Sequence, residues 1–159
     1  MRSSHHPPRP IPSAVQPALP IETAPREIVF ESEQISVWCY PTIGLVHHQM
    51  HGSCHGEPFR QALSAGTQAM RQHGATAWLS DDRLNGPLPD ADEAWGTGTW
   101  FAQTRAAGWK FWAMVVPERA VGKLNVKRFV ELYRRRGIEA QMFTEPADAF
   151  VWLHGQPLR

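Results

Sequence analysis

The chain has 159 residues, of which 42% are hydrophobic and seven are tryptophan, so it is long enough for one domain with a substantial core. Its formal net charge of +1 excludes a global electrostatic field that attracts nucleic acid or an acidic membrane. Neither a run of roughly 18 apolar residues nor the apolar block of a signal peptide is present, so we expect no membrane span and a cytoplasmic location.

The first 25 residues differ in composition from the rest, because they hold seven of the fourteen prolines. Proline removes backbone donors and biases the preceding residue towards extended conformations, which disfavours a helix or a central strand. We therefore predict a disordered, proline-rich tail over residues 1–26 and an α/β domain over residues 27–155. An inert leader is the preferred interpretation of the tail, and a ligand for a proline-recognising groove is the alternative.

Three strands are predicted next, at residues 28–30, 35–40 and 45–50, which are rich in β-branched and aromatic residues. Tight turns between them favour an antiparallel meander. Apolar residues at helical spacing from Phe59 to Met70 then predict a helix, and a short strand follows at residues 76–80.

The second half of the sequence alternates between helical and strand patterns. A helix is predicted after Asp90, although Gly96 and Gly98 weaken it by roughly 1 kcal/mol each, with close packing against the sheet or a partner as the expected compensation. A strand at residues 109–116, a helix around 126–133, a strand at 138–143 and a last helix from Pro146 follow. Alternation requires crossover connections, so the predicted fold class is α/β, a mixed sheet whose antiparallel meander is followed by a parallel half.

Four histidines and a cysteine lie within residues 47–55, a composition that suits zinc or copper. Because side chains alternate on a strand, only His51, Cys54 and His55 can converge, at the turn into the helix. No CxxC or HExxH motif accompanies them, so solvent-facing or hydrogen-bonded histidines are the preferred interpretation, and no metal or other cofactor is predicted. The two cysteines, Cys39 and Cys54, are expected to be reduced and structural.

The best candidate site is the segment Ser80, Asp81, Asp82 and Arg83 together with Asn85, because it follows a predicted parallel strand, where open α/β sheets collect their functional loops. Paired carboxylates there can bind a cation, share a proton or present negative charge to a partner. The alternative is that both carboxylates hold the loop by hydrogen bonds to turn amides.

The tryptophans provide a third feature. Four of them lie within eighteen positions, at Trp95, Trp100, Trp109 and Trp112. Core packing is favoured over nucleobase stacking, because Lys110 is nearly the only basic residue among them. The three arginines at 134–136 close a helix, where cations complement the helix dipole, and a phosphate-binding patch is the weaker alternative. Dinucleotide, P-loop and GxSxG motifs are absent from the sequence, so no catalytic set is recognised.

Several segments together carry a family resemblance. They are His-His-Gln at 47–49, Gly-Glu-Pro-Phe-Arg at 56–60, Trp-Leu-Ser-Asp-Asp-Arg-Leu-Asn-Gly at 78–86, Gly-Trp-Lys-Phe-Trp-Ala at 108–113, Asn-Val-Lys-Arg-Phe at 125–129 and the turn at 133–137. Over about residues 27–154 the chain resembles small bacterial proteins grouped as STAS-like or SpoIIAA-like. The resemblance implies a mixed sheet flanked by helices.

In the wider superfamily, that of the anti-sigma-factor antagonists, a phosphorylatable serine after a central strand controls binding to a partner kinase. The matching region is 80–83, where Asp81 and Asp82 occupy the loop in which that serine is expected. This departure from the pattern of the superfamily favours constitutive negative charge at the loop over a phosphorylated serine. Ser80, at the end of the strand, keeps a phosphorylatable hydroxyl as the alternative.

Two hypotheses about function follow. The leading one is a non-catalytic regulatory module that binds a protein partner, with a homodimer among the possibilities and no nucleic acid, through the acidic loop and the adjoining helix. The alternative is a carrier of a small molecule or lipid, or an enzyme, with Trp95, Trp112 and the acidic loop lining a closed apolar cavity on the order of several hundred Å³.

Overall fold

Six strands form one sheet in the computed structural model, which describes residues 24–158; residues 1–23 of the tail predicted over residues 1–26 lie outside the described residues. The strands are β1 (Glu27–Glu31), β2 (Ile35–Tyr40), β3 (Leu45–Met50), β4 (Ala77–Asp81), β5 (Phe111–Val115) and β6 (Glu139–Phe143). They lie side by side in chain order. The first three are antiparallel and β3 to β6 are parallel, which confirms the predicted α/β fold.

Of the described helices, five lie in the connections between the parallel strands, and a sixth follows the last strand. They are α1 (Gly56–His73), α2 (Asp90–Trp95), α3 (Phe101–Ala106), α4 (Glu118–Val121), α5 (Leu124–Arg135) and α6 (Pro146–His154). A π-helical turn, Gly96–Trp100, joins α2 to α3, so the helix predicted after Asp90 is wound more loosely in its middle. Outside the backbone of its own helix and its chain neighbours, a Cβ atom at Gly96 or Gly98 meets no described atom within 4 Å, so the expected close packing against the sheet is wrong. Packing against a partner stays a prediction.

The two faces of the sheet pack against different helices. On β3, Val46 and Met50 belong to the larger core, which α1, α3 and α5 cover, whereas Leu45 belongs to the smaller core, which α6 covers. Side chains alternate along a strand, so neighbouring residues of β3 and β4 enter opposite cores. This alternation decides which of the candidate residues can meet.

Aromatic rings fill the larger core. Ring centroids are 5.1 Å apart for Trp78 and Trp100, 5.0 Å for Trp100 and Trp109, and 4.7 Å for Trp112 and Tyr133. All five side chains are buried, in agreement with the core-packing interpretation of the tryptophans. The rings of Trp100, Trp112 and Tyr133 also border the cavity described next.

Candidate functional site

A partly open cavity of about 180 Å³ lies at the carboxyl ends of β3 and β4, on the face of the sheet that α1 and α5 cover. Most of its wall is apolar and includes Phe59, Leu63, Trp100, Trp112, Phe129 and Tyr133. Four residues add polar groups at one end: His48, Ser80, Asp82 and Asn85. An apolar cavity with a few convergent polar groups at this edge of an α/β sheet is typical of a ligand site.

The imidazole of His48 is held by hydrogen bonds on both nitrogens. The indole Nε1–H of Trp78 donates to Nδ1 at 3.0 Å, and Nε2 lies 2.8 Å from Oδ1 of Asp82. Because an indole N–H can only donate, Nδ1 must accept, and the ring proton therefore sits on Nε2 and is donated to Asp82. The geometry selects one neutral tautomer of His48 and points it at the carboxylate.

Ser80 places its hydroxyl on the cavity wall. Its Oγ accepts a hydrogen bond of 2.8 Å from Nε1 of Trp112, and the residue is 2% exposed. A hydroxyl has one donor and two acceptor positions, so a donor and an acceptor remain for a ligand. With so little exposure, the hydroxyl is inaccessible to a kinase in this conformation.

Asp82 and Asn85 form the polar rim. The side chain of Asp82 is 29% exposed, and none of the described residues donates to its Oδ2 atom. Oδ1 of Asn85 accepts from the backbone N–H of Cys54 at 3.1 Å, which ties the loop after β4 to the start of α1. The two N–H groups of the Asn85 amide have no acceptor among the described residues.

A buried carboxylate anchors α2 beside the cavity. Oδ2 of Asp92 accepts the backbone N–H of Gly56 at 2.8 Å, and Oδ1 accepts from Nε of Arg60 at 3.1 Å. The hydrogen bond from Gly56 is the largest cause of the lowered pKa of Asp92, which therefore stays ionised. These two hydrogen bonds hold the start of α1 and α2 together.

Asp81 and Arg83 lie apart from the cavity. Nε and Nη2 of Arg83 each donate to a different oxygen of Asp81 at 2.9 Å, which makes a bidentate ion pair. Asp81 is 4% exposed. Because Asp81 follows Ser80 on β4, its side chain points to the opposite face of the sheet. The structure therefore divides the predicted acidic site: Ser80, Asp82 and Asn85 meet at the cavity, and Asp81 pairs with Arg83 behind it.

Trp95 supports the cavity from outside its lining. Its ring lies 6.1 Å from that of Phe59 and 6.5 Å from that of Trp100, both of which form the wall. The guanidinium of Arg60 stands 5.7 Å from the centre of the Trp95 ring. Trp112, the other tryptophan of the carrier hypothesis, does line the cavity.

The three weak metal candidates do not form a cluster. Nε2 of His51 is 2.7 Å from Oγ of Ser36, His55 is exposed, and Cys54 is buried, which raises the pKa of its thiol. Within residues 24–158, no group of three or more histidine, cysteine, aspartate or glutamate side chains is arranged to hold a metal ion.

His48 and the wall of α5 are the site residues that the sequence analysis missed. His48 pairs in register with Ser80 on the neighbouring parallel strand, a relation between residues 32 positions apart that no local pattern contains. The sequence analysis did predict the strand at residues 45–50 that carries His48 and the helix around 126–133 that carries Phe129 and Tyr133. The missing information was which strand lies beside β3.

Within the described range, no helix combines the length and the apolar character needed to cross a membrane. Comparisons of the chain with protein-family models, with curated proteins and with solved structures found no match. The case for a function therefore depends on the geometry of the cavity.

Proposed function

We propose that this domain binds a small organic molecule in the cavity at the carboxyl ends of β3 and β4. The observation that carries the proposal is the combination of aromatic walls with Ser80, Asp82 and Asn85 at one end. Ligand cavities have this character, and those for drug-sized molecules measure roughly 300–1,000 Å³. At about 180 Å³, this one fits a compact ligand on the order of ten non-hydrogen atoms.

Binding is better supported than acyl transfer. A serine nucleophile needs an adjacent base, and both nitrogens of His48 are already engaged, Nδ1 by Trp78 and Nε2 by Asp82. The hydroxyl of Ser80 is bonded to Trp112 instead of to an imidazole. These contacts give a fixed binding surface without a nucleophile–base pair.

A second candidate is the protein-interaction module predicted from the sequence. Leu84, in the loop after β4, supports it, because this leucine is 63% exposed. Against it, Asp81 is neutralised by Arg83, and Asp82 lines the cavity, so the loop presents less outward negative charge than the hypothesis requires. It stays a prediction beside the small-molecule proposal.

The first test measures binding of benzyl alcohol, an uncharged molecule of suitable size, to the full chain by saturation-transfer NMR. We expect transfer to the wild type and its loss in Leu88→Trp, because the larger side chain occupies part of the cavity that Leu88 lines. The matched control is Leu84→Trp in the same loop, outside the lining, which should keep the signal.

Absence of transfer to the wild type, or equal transfer to both variants, contradicts the proposal. Native mass spectrometry of the full chain, purified gently from its host, supplies a second readout. One added small mass supports the cavity as a ligand site, whereas a stoichiometric second protein that leaves with Leu84→Ser supports the interaction module instead.

A further inference from the structure

The charge at the cavity is carried by one residue. Of the described side chains that line it, Asp82 is the only one that is acidic, and none is a lysine or an arginine. The nearest arginine in sequence, Arg83, is committed to Asp81 by two hydrogen bonds on the other side of the strand. A ligand in the cavity therefore meets a carboxylate, and the described lining offers no lysine or arginine to compensate it.

His48 does not cancel this charge in the arrangement described. A second ring proton would have to sit on Nδ1, where the indole N–H of Trp78 already points at 3.0 Å. Trp78 is fully buried and packed edge-on against Trp100, with ring centroids 5.1 Å apart, so it cannot turn away easily. His48 thus acts as a neutral donor that orients Asp82 and leaves Oδ2 for a ligand.

The aromatic part of the wall also favours a positively charged ligand. Trp112, Phe129 and Tyr133 are mutual neighbours, with ring centroids 4.7 to 5.7 Å apart, and all three border the cavity. The faces of aromatic rings are electron-rich and attract cations. The phenol of Tyr133 donates to the carbonyl oxygen of Gly96 at 3.2 Å, and burial raises the pKa of Tyr133, so it adds no donor for an anion and no charge of its own.

We infer that the natural ligand is a compact organic amine, bound as its ammonium ion between the carboxylate of Asp82 and the aromatic wall, with its apolar body towards Phe59 and Leu63. This inference rests on the proposed small-molecule function and adds the chemical class of the ligand. Carboxylates and phosphates of the same size are disfavoured, because they place a second negative charge beside Asp82 and no lysine or arginine of the described lining receives it.

The test compares three molecules with one shape and different charge on the full chain at pH 7: benzylamine, benzyl alcohol and benzoate. By isothermal titration calorimetry we expect benzylamine to bind at least about tenfold more tightly than benzyl alcohol, and benzoate to bind most weakly. Asp82→Asn keeps an oxygen for the N–H of His48 and removes the charge. It should bring benzylamine to within about twofold of benzyl alcohol.

Asp90→Asn is the matched control, since Asp90 is exposed and lies outside the lining, so the same loss of net charge there should leave the tenfold preference in place. Equal binding of benzylamine and benzyl alcohol to the wild type overturns the amine inference and leaves the small-molecule function standing. Binding of none of the three molecules overturns both. An unchanged preference in Asp82→Asn overturns the assignment of the charge to Asp82.

Discussion

His47 is buried on β3 without a hydrogen bond to either ring nitrogen in the described part of the chain. Its ring lies 5.0 Å from that of Trp38 and 5.6 Å from that of Phe150, so its surroundings are aromatic. Burying polar atoms without partners costs free energy, on the order of 1–3 kcal/mol. The adjacent His48, with both nitrogens bonded, is in the opposite situation, and the pair allows a direct comparison.

We predict that His47→Phe raises the free energy of unfolding by about 1–3 kcal/mol, because it removes two unpaired polar atoms and keeps an aromatic ring. His48→Phe is the matched variant and should lower it by a similar amount, since the buried indole N–H of Trp78 then loses its acceptor. Urea unfolding measures both. The expectation fails if His47→Phe is as destabilising as His48→Phe.

His47 also makes the stability of the fold depend on pH. Burial, the largest cause, lowers the pKa of His47 from 6.5 to about 3. Between these values the unfolded chain binds a proton that the folded chain does not, so stability falls as the pH falls from 6.5 towards 3, by at most about 1.4 kcal/mol per pH unit. His47→Phe should flatten this part of the stability curve, and an unchanged slope would contradict the assignment.

At the scale of elements, α1 packs closely against the side chain of Trp78 on β4 at one of its glycines, Gly66. A Cβ atom at Gly66 would stand 2.4 Å from Cη2 of Trp78 and 3.1 Å from Cγ1 of Val46, both of which are buried. Such an approach is only possible without a side chain. The position of Trp78, and through its indole N–H that of His48, therefore depends on Gly66.

We predict that Gly66→Ala destabilises the fold by about 1–3 kcal/mol, because Trp78 has no space to move and overpacking strains the core. It should also weaken the binding of benzyl alcohol, since a displaced Trp78 releases His48. Gly98→Ala is the control: its Cβ meets nothing within 4 Å, so it should stabilise the helix by about 0.5–1 kcal/mol. Thermal unfolding distinguishes them, and equal melting temperatures for the two variants contradict the contact.

Local patterns predicted most of these elements. β2 and β3 begin and end at the predicted residues, and β4 differs by one position, because composition and alternation record burial on a strand. The π-helical turn and the short α4 were not predicted. The turn accepts a hydrogen bond from Tyr133 at Gly96, a tertiary contact that no local pattern contains. Of the site, Ser80, Asp82 and Asn85 were predicted from their place after a strand, whereas His48 needed the register of β3 against β4.

At the scale of the whole molecule, the two faces of the sheet are covered unequally. Among the described helices, those of the three crossover connections cover the larger core, and α6 packs on the strands of the smaller core. The end of the chain completes that smaller core: Leu158 is 7% exposed, and Oγ1 of Thr76 donates to its carbonyl at 2.9 Å. The packed part of the chain thus reaches beyond residue 155, the boundary expected from the sequence.

We predict that a chain ending at Gly155 is less stable by about 2–4 kcal/mol than one ending at Leu158. The loss combines the burial of one leucine, worth about 1.5–3 kcal/mol, with the hydrogen bond of Thr76. Leu158→Ser in the full chain separates the two terms, since it removes the apolar side chain and keeps the carbonyl, and Val151→Ser, on the exposed side of α6, should change little. Because the cavity lies on the face of the sheet opposite Leu158, the shortened chain should still bind benzyl alcohol under conditions in which it remains folded. Equal free energies of unfolding for the two chain lengths would show that α6 covers the smaller core without help from the residues that follow it.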